Sequence, residues 1–322
     1  MKKSCKYVGI IVMMMIIGFS FAACNMGGDD GGNLITVGII NNPASESAYR
    51  FANDKDMKDV FTEANGYDAS FKYGTTLQEH LAAFNEFVED GVDYILLSPA
   101  SYDGWNDALQ SAKNAGIKVF LFDRMVTAPQ DLYEAAVVSS TAEEGKTAVS
   151  LLKSADLPEY NVIHIQGVMG TDAQIGRGAA LDAEFAAGRM NKVVQQTANW
   201  SADEAKTIVE SVIEAGTSFN IIYAENDSMA FGAVEALDDA GITHGVDGEV
   251  VILGFNNEKR ALRELLAGRW NYDVQCSPFQ AKLVEDMIRT GNIPSKVVIN
   301  PEKGFDAKTI TQADVDTYGI GD

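Results

Sequence analysis

What most constrains this chain is a rhythm. From Leu34 onward, short apolar runs alternate with amphipathic stretches over nearly the whole length. Strand candidates fall at 35–40, 69–73, 94–97, 118–122 and 136–138, with a second series at 161–165, 193–197, 220–223, 250–253 and 272–275. Several are unbroken apolar runs without polar alternation, such as "VFLF" at 119–122. Parallel strands covered on both faces read this way. Between them lie helical periods. Leu77, Leu81, Phe84 and Val88 recur at i, i+4, i+7 and i+11, and 207–215 and 229–240 behave likewise. Helical stretches run into glycine before the next strand in "EDGVD", "NAGIK", "EAGTS" and "DAGIT". Glycine just past a helix takes the left-handed turn at little steric cost. A repeated β-α order specifies an α/β fold with parallel sheets.

The rhythm also repeats at a larger scale. "GVDYILLSPASYDGW" in the first half parallels "FNIIYAENDSMAFGA" in the second: apolar strand, polar turn, helix. One sheet of about ten strands is unusually wide, so two sheets and two lobes are expected. The chain has 322 residues, 46% of them hydrophobic, enough to build both. In open α/β sheets ligands bind beyond the carboxyl ends of the strands, and two facing sheets make a cleft. The formal net charge of -21 repels phosphates, so nucleic acid is excluded as a partner. The plain reading of that acidity is solubility.

The polar residues just after strands are therefore the ones to weigh. They are Asn41-Asn42 to Arg50, Ser98-Pro99, Asp123-Arg124, Gln166-Gly167, Trp200, Glu225-Asn226-Asp227, Asn256-Asn257 and Gln275, with aromatics nearby at Tyr49, Trp105 and Trp200. A sugar hydroxyl both donates and accepts, so it suits carboxylate and amide acceptors beside Arg and Asn donors. Its C–H faces suit flat aromatic rings. Plainer readings stand beside this one. Asn226 could cap a helix, Asp123-Arg124 could be a local ion pair, Trp105 and Trp200 could be packing, and Arg177 could be an exposed helix residue. "EGKT" at 144–147 lacks the upstream glycine of a phosphate-binding loop, because Ser140 stands there. The glycines of "GVMGTDAQIGRG" miss the dinucleotide spacing and read as a turn. There is no G-x-S-x-G nucleophile motif, and no catalytic constellation can be assembled.

The N-terminus reads as a targeting signal: Lys2, Lys3 and Lys6, then an apolar run over 7–21, then Ala22-Ala23-Cys24. The run is shorter than the roughly 20 residues of a membrane span. "FAAC" resembles a bacterial lipoprotein signal, with Phe21 where leucine is usual. In such signals the cysteine is lipidated and becomes the new N-terminus, here Cys24 after a signal at 1–23. The Gly/Asp-rich "NMGGDDGGN" suits a flexible tether at 24–33; plain secretion is the alternative. Cys5 would leave with the signal and Cys24 would carry lipid, so Cys276 stands alone and no internal disulfide forms. His80, His164 and His244 show no metal-ligand spacing, and neither metal nor cofactor is expected.

"GVDYILLSP", "AGIKVFLFDR", "IQGVMGTDAQIGRGAAL", "IIYAENDSMAFGAVEALDDAG" and "VVILGFNN" together resemble the periplasmic sugar-binding proteins of the ribose/galactose-binding class that serve ABC importers. "SESAYR", "DGW" and "LFDR" look most like the galactofuranose-binding branch. The export signal, in place of an N-terminal helix-turn-helix, separates the chain from repressors that share the fold. The resemblance implies a type I periplasmic binding protein: two Rossmann-like lobes joined by a three-crossing hinge near Ser139-Ser140, Cys276-Ser277 and Lys303-Gly304. One lobe would comprise 34–139 plus 277–303, the other 140–276 plus 304–322. It places sugar contacts at Glu46, Ser47, Arg50, Asp123, Arg124, Arg177, Trp200, Asn226, Asn256 and Gln275. The family commonly has Asp where Asn256 stands; Asn adds donors and loses the charge.

The expected function is non-enzymatic: a monomeric, lipid-anchored receptor in the periplasm or on the outer face of the cytoplasmic membrane. It would close on a monosaccharide, pentose or hexose, a furanose form included, and present it to an ABC permease and its ATPase subunit. Two alternatives are a sugar-sensing adaptor for a chemoreceptor or sensor kinase, and a sugar hydrolase using Glu46 and Asp123 as its carboxylate pair.

Overall fold

A computed structural model describes residues 34–321. The signal, the tether and Cys24 lie outside the described residues. The first part of the chain runs β1 (Ile35–Asn41), α1 (Ala48–Val60), β2 (Tyr67–Tyr73), α2 (Leu77–Asp90), β3 (Tyr94–Leu97), α3 (Asn106–Ala115), β4 (Lys118–Asp123) and β5 (Ala135–Val138). The second runs α4 (Thr141–Ser154), β6 (Asn161–Gln166), α5 (Asp172–Ala186), β7 (Asn191–Thr197), α6 (Ala202–Glu214), β8 (Ile221–Ala224), α7 (Asp227–Ala240), β9 (Val251–Phe255), α8 (Lys259–Leu266) and β10 (Tyr272–Val274). The chain then returns through α9 (Ala281–Thr290) and β11 (Val297–Ile299) and ends with β12 (Gly304–Asp306) and α10 (Gln312–Tyr318).

The strands form two six-stranded sheets, ordered β11-β5-β4-β3-β1-β2 and β12-β10-β9-β8-β6-β7. All neighbours pair parallel except β10 with β12. The chain passes from the first sheet to the second after Val138, back after Val274, and over again between Ile299 and Gly304.

Each sheet is covered on both faces, which is why its central strands lack polar alternation. In β4, Val119 and Leu121 pack under α2 and α3 with Phe84, Phe87 and Leu109. Phe120 and Phe122 point the other way, to Met57 of α1 and Val284 and Met287 of α9. The second sheet repeats the scheme. Ile163, Ile222 and Ile252 pack against α6, α7 and α8, and Val162, Tyr223 and Leu253 against α4 and α5. The expected glycines do terminate helices: Gly91, Gly116 and Gly241 are left-handed C-caps of α2, α3 and α7. No helix among the described residues is long and apolar enough to cross a membrane.

One detail differs from expectation, and one open reading is decided. Gly176 and Gly178 belong to α5 rather than to a turn. A Cβ on Gly145 of α4 would meet the Gly176 and Arg177 carbonyl oxygens at 2.7 and 2.8 Å, and one on Gly176 would meet Thr141 Oγ1 at 2.0 Å. The glycine spacing of "EGKT" and "IGRG" therefore serves close α4–α5 packing. Trp105 is core: it is buried against Phe84 and donates from Nε1 to the Ser101 carbonyl at 2.8 Å.

Candidate functional site

The carboxyl ends of β1 and β4 face those of β6, β8 and β9 across a cleft. The lobes meet at its rim, where the Tyr102 N–H donates to the Gly170 carbonyl at 3.0 Å and the Met125 N–H to Asp172 Oδ2 at 3.2 Å. The gap behind the rim is partly open to solvent. One lobe lines it with Glu46, Ser47, Tyr49, Arg50, Asp123 and Arg124, and the other with Ala173, Arg177, Trp200, Asn226 and Asn256. Thr141 and Cys276, beside the crossings, close its floor. The space continues outward past Arg124 and Trp200 toward Thr75 and Asn199.

Asp123 is the hub of the first wall. It ends β4 with φ +66°, a left-handed conformation uncommon outside glycine, which turns the carboxylate out of the sheet direction. Its Oδ1 accepts from the Tyr49 hydroxyl at 2.7 Å. Its Oδ2 accepts from Arg50 Nη2 at 2.8 Å and Ser98 Oγ at 2.7 Å, with Arg124 Nε at 3.4 Å. Burial works against the charge, but Arg50, Arg124 and the two hydroxyls outweigh it and hold the carboxyl down at about 2. A glycosidase general acid needs the opposite shift, so Asp123 is not placed as one.

The two arginines differ. Arg50 directs Nε, Nη1 and Nη2 to Glu46, Asn41 and Asp123, and so fixes the wall. Arg124 contacts Asp123 and Glu46 but leaves Nη1 buried with no protein acceptor. A buried unpaired donor is costly unless a ligand meets it.

The second wall is built from the α4–α5 contact. Arg177, buried on α5, donates from Nε to Glu144 Oε2 at 2.7 Å, from Nη1 to the Glu225 carbonyl at 2.5 Å and from Nη2 to Asn256 Oδ1 at 2.9 Å. Burial opposes its charge, but Glu144 and its other partners raise its pKa above the ordinary value. Asn256, with φ +104°, gives its acceptor oxygen to Arg177, which leaves its amide N–H groups for a ligand. Asn226 caps α7, its Oδ1 accepting from the Met229 N–H at 2.8 Å. The cap reading is met, and the amide nitrogen remains available at the cleft. Trp200 has φ +65°, lines the cleft and carries a buried, unpaired Nε1. Its ring lies on Gly167, where a Cβ would sit 1.9 Å from it. Asp123, Trp200 and Asn256 all hold strained backbone at strand exits, where functional side chains are often over-determined.

Of the residues singled out from sequence, Glu46, Ser47, Arg50, Asp123, Arg124, Arg177, Trp200, Asn226 and Asn256 come together here. Gln275 does not line the gap; its neighbour Cys276 does. Adjacent residues of an extended segment face opposite ways, so one position decides which side chain reaches the cleft. Ser98 and Glu144 were not singled out for ligand contact, yet they orient Asp123 and Arg177. Ser98 follows β3 but acts through Asp123, and the signal of Glu144 is purely tertiary. Formal charges cancel on each side: Glu46 and Asp123 against Arg50 and Arg124, and Glu144 against Arg177. Such a site suits a neutral ligand rich in hydroxyls.

A model of the periplasmic binding protein domain family matches residues 37–290. The fructose import binding protein FruE of Bifidobacterium longum is 31% identical over 309 residues, covering 91% of this chain and 92% of that protein. The galactofuranose-binding protein YtfQ of Escherichia coli is 28% identical over 276 residues, covering 82% of this chain and 86% of YtfQ. The crystal structure of a galactofuranose binding protein superposes with a TM-score of 0.80 at 26% identity, covering 88% of this chain and 98% of that one.

Proposed function

The chain belongs to the periplasmic binding protein domain family, and on that premise we propose that it captures a neutral monosaccharide, preferably in furanose form, for an ABC importer. The observation that carries this reading is the set of unsatisfied donors in a charge-balanced cleft. Arg124 Nη1 on one side and Trp200 Nε1 on the other are buried without protein partners. The Asn226 and Asn256 amides flank them, their oxygens already engaged by protein. A ring of hydroxyls would satisfy these donors while its C–H face lies on Trp200. The furanose preference is supported by the galactofuranose binders that the chain resembles.

The lobes that close would be 34–139 with 277–303, and 140–276 with 304–322, pivoting on the three crossings. The closed surface is what the permease would recognise. Cys24 would carry a lipid that holds the protein at the membrane, with 24–33 as tether. The decisive experiment is titration calorimetry with fructose, arabinose, ribose, galactose and their methyl furanosides. Saturable heat with at least one is expected; no response to any would sink the sugar assignment. Palmitate labelling that persists in Cys24→Ser would remove the anchor.

A further inference from the structure

At the floor of the cleft the three crossing segments are tied together by groups that the sugar reading does not use. Glu302, on the third crossing, accepts with Oε1 from Ser139 Oγ of the first at 2.5 Å and from the Ser277 N–H of the second at 2.9 Å. The Cys276 thiol donates to the same Ser139 hydroxyl oxygen at 3.4 Å. Glu144 of α4 faces them. One oxygen of Glu144, one of Glu302 and the Cys276 sulfur all lie within 4.8 Å of one another. Glu144 Oε2 is taken by Arg177, but Oε1 is buried with no donor. Glu144 and Cys276 face Glu302, with Arg177 and Asp123 behind them. The adjacent Lys303 ammonium turns away to Asp314 at 2.8 Å.

Two carboxylates this close, one buried and the other half-buried, do not both stay ionised. A proton between them removes the repulsion and gives the orphan Glu144 oxygen a donor. Arg177 pairs with Glu144 at 2.7 Å, whereas Glu302 has no cationic partner among the described residues, which puts the proton on Glu302. Burial, then the charge of Glu144, push the Glu302 carboxyl up to about 9.

We propose that Glu302 and Glu144 share one proton at the hinge, that they are positioning residues for Arg177 in the ligand site, and that lobe closure therefore takes up a proton. The ligand step rests on the sugar-capture reading above. On this proposal, opening the lobes parts Glu302 from Glu144 and completes the exposure of its half-buried carboxyl, and a carboxyl in water titrates near about 4.3. The closed form thus holds its full advantage below that value and loses it as pH rises toward about 9. Affinity falls with rising pH over that window, by up to about tenfold per pH unit.

The test is titration calorimetry of a bound sugar near pH 7.5 in buffers of different protonation enthalpy. Uptake of about one proton is expected for the wild type and none for Glu302→Gln, which keeps the Ser139 and Ser277 contacts and mimics the neutral acid. Equal proton uptake, or parallel affinity–pH profiles for the two proteins, overturns the inference. If no sugar binds, the capture reading fails separately. A rim disulfide, Tyr102→Cys with Gly170→Cys, then holds the lobes closed without ligand. The infrared C=O band of a protonated carboxyl at neutral pH, lost in Glu302→Gln, is expected in that protein. Its absence, or a stoichiometric divalent metal that Glu302→Gln releases, overturns the shared proton and leaves sugar capture untouched.

Discussion

Replacing Asp123 by alanine perturbs the side chain on which most of the first wall converges. The carboxylate meets Arg50 at 2.8 Å and the Ser98 and Tyr49 hydroxyls at 2.7 Å each, all buried. Removing one partner of a buried ion pair costs about 3–5 kcal/mol, because the other charge is left uncompensated. At roughly 2–4 °C per kcal/mol for chains of this order, the melting temperature should fall by about 10 °C. Sugar affinity should fall by about 1.5–3 kcal/mol, the range for a hydrogen bond to a charged group, or roughly 10- to 150-fold. Asp123→Asn keeps the shape and one acceptor and should lie between. The acid limb gives a second reading. A carboxyl held at about 2 stabilises the fold fully above its ordinary value and loses this as pH falls through about 2. That difference amounts to about 2 kcal/mol, which Asp123→Ala should no longer show. Scanning calorimetry near pH 7 and near pH 2 with sugar titration at neutral pH measures all of it. An Asp123→Ala protein that melts with the wild type and binds sugar within about threefold of it would refute the reasoning.

Three further substitutions separate the parts of the site. Gly167→Val drives a side chain into the Trp200 ring and should weaken sugar binding at least about tenfold, with far-ultraviolet circular dichroism unchanged; equal affinity would show that the ring is not part of the site. Asp172→Ala deletes the rim bond to the Met125 N–H and should raise Kd by roughly 3- to 10-fold, about the worth of one hydrogen bond, read by titration calorimetry. Gly176→Ala places a methyl 2.0 Å from Thr141 Oγ1, which should cost about 1–3 kcal/mol in denaturant unfolding; a neutral result would show that α4 and α5 can separate freely.

The β-α rhythm carried the fold because buried parallel strands leave a local signature. Tyr94–Leu97 was bounded as found, and most other strands within about one or two residues. The strands that were not seen, Val297–Ile299 and Gly304–Asp306, are three residues each and largely half-exposed, too short for any period to register. The site was legible where a polar residue follows a strand, as at Asp123, Asn226 and Asn256. It was not legible where a residue acts through another. Glu144 and Glu302 look ordinary in sequence; helix packing brings Glu144 to Arg177, and the chain crossings bring Glu302 to Cys276. For Trp105 the packing alternative holds: the indole found a carbonyl in the core.

The separate cancellation of charge on the two walls has a kinetic consequence. The whole chain carries -21, so its far field opposes the approach of anions, while a neutral solute feels neither that field nor a net charge on either wall. Capture rates for neutral sugars should therefore be nearly indifferent to salt, whereas sugar phosphates and uronates should arrive slowly at low ionic strength and faster as salt screens the surface. Discrimination against charged metabolites would then begin at encounter, before any hydroxyl is read.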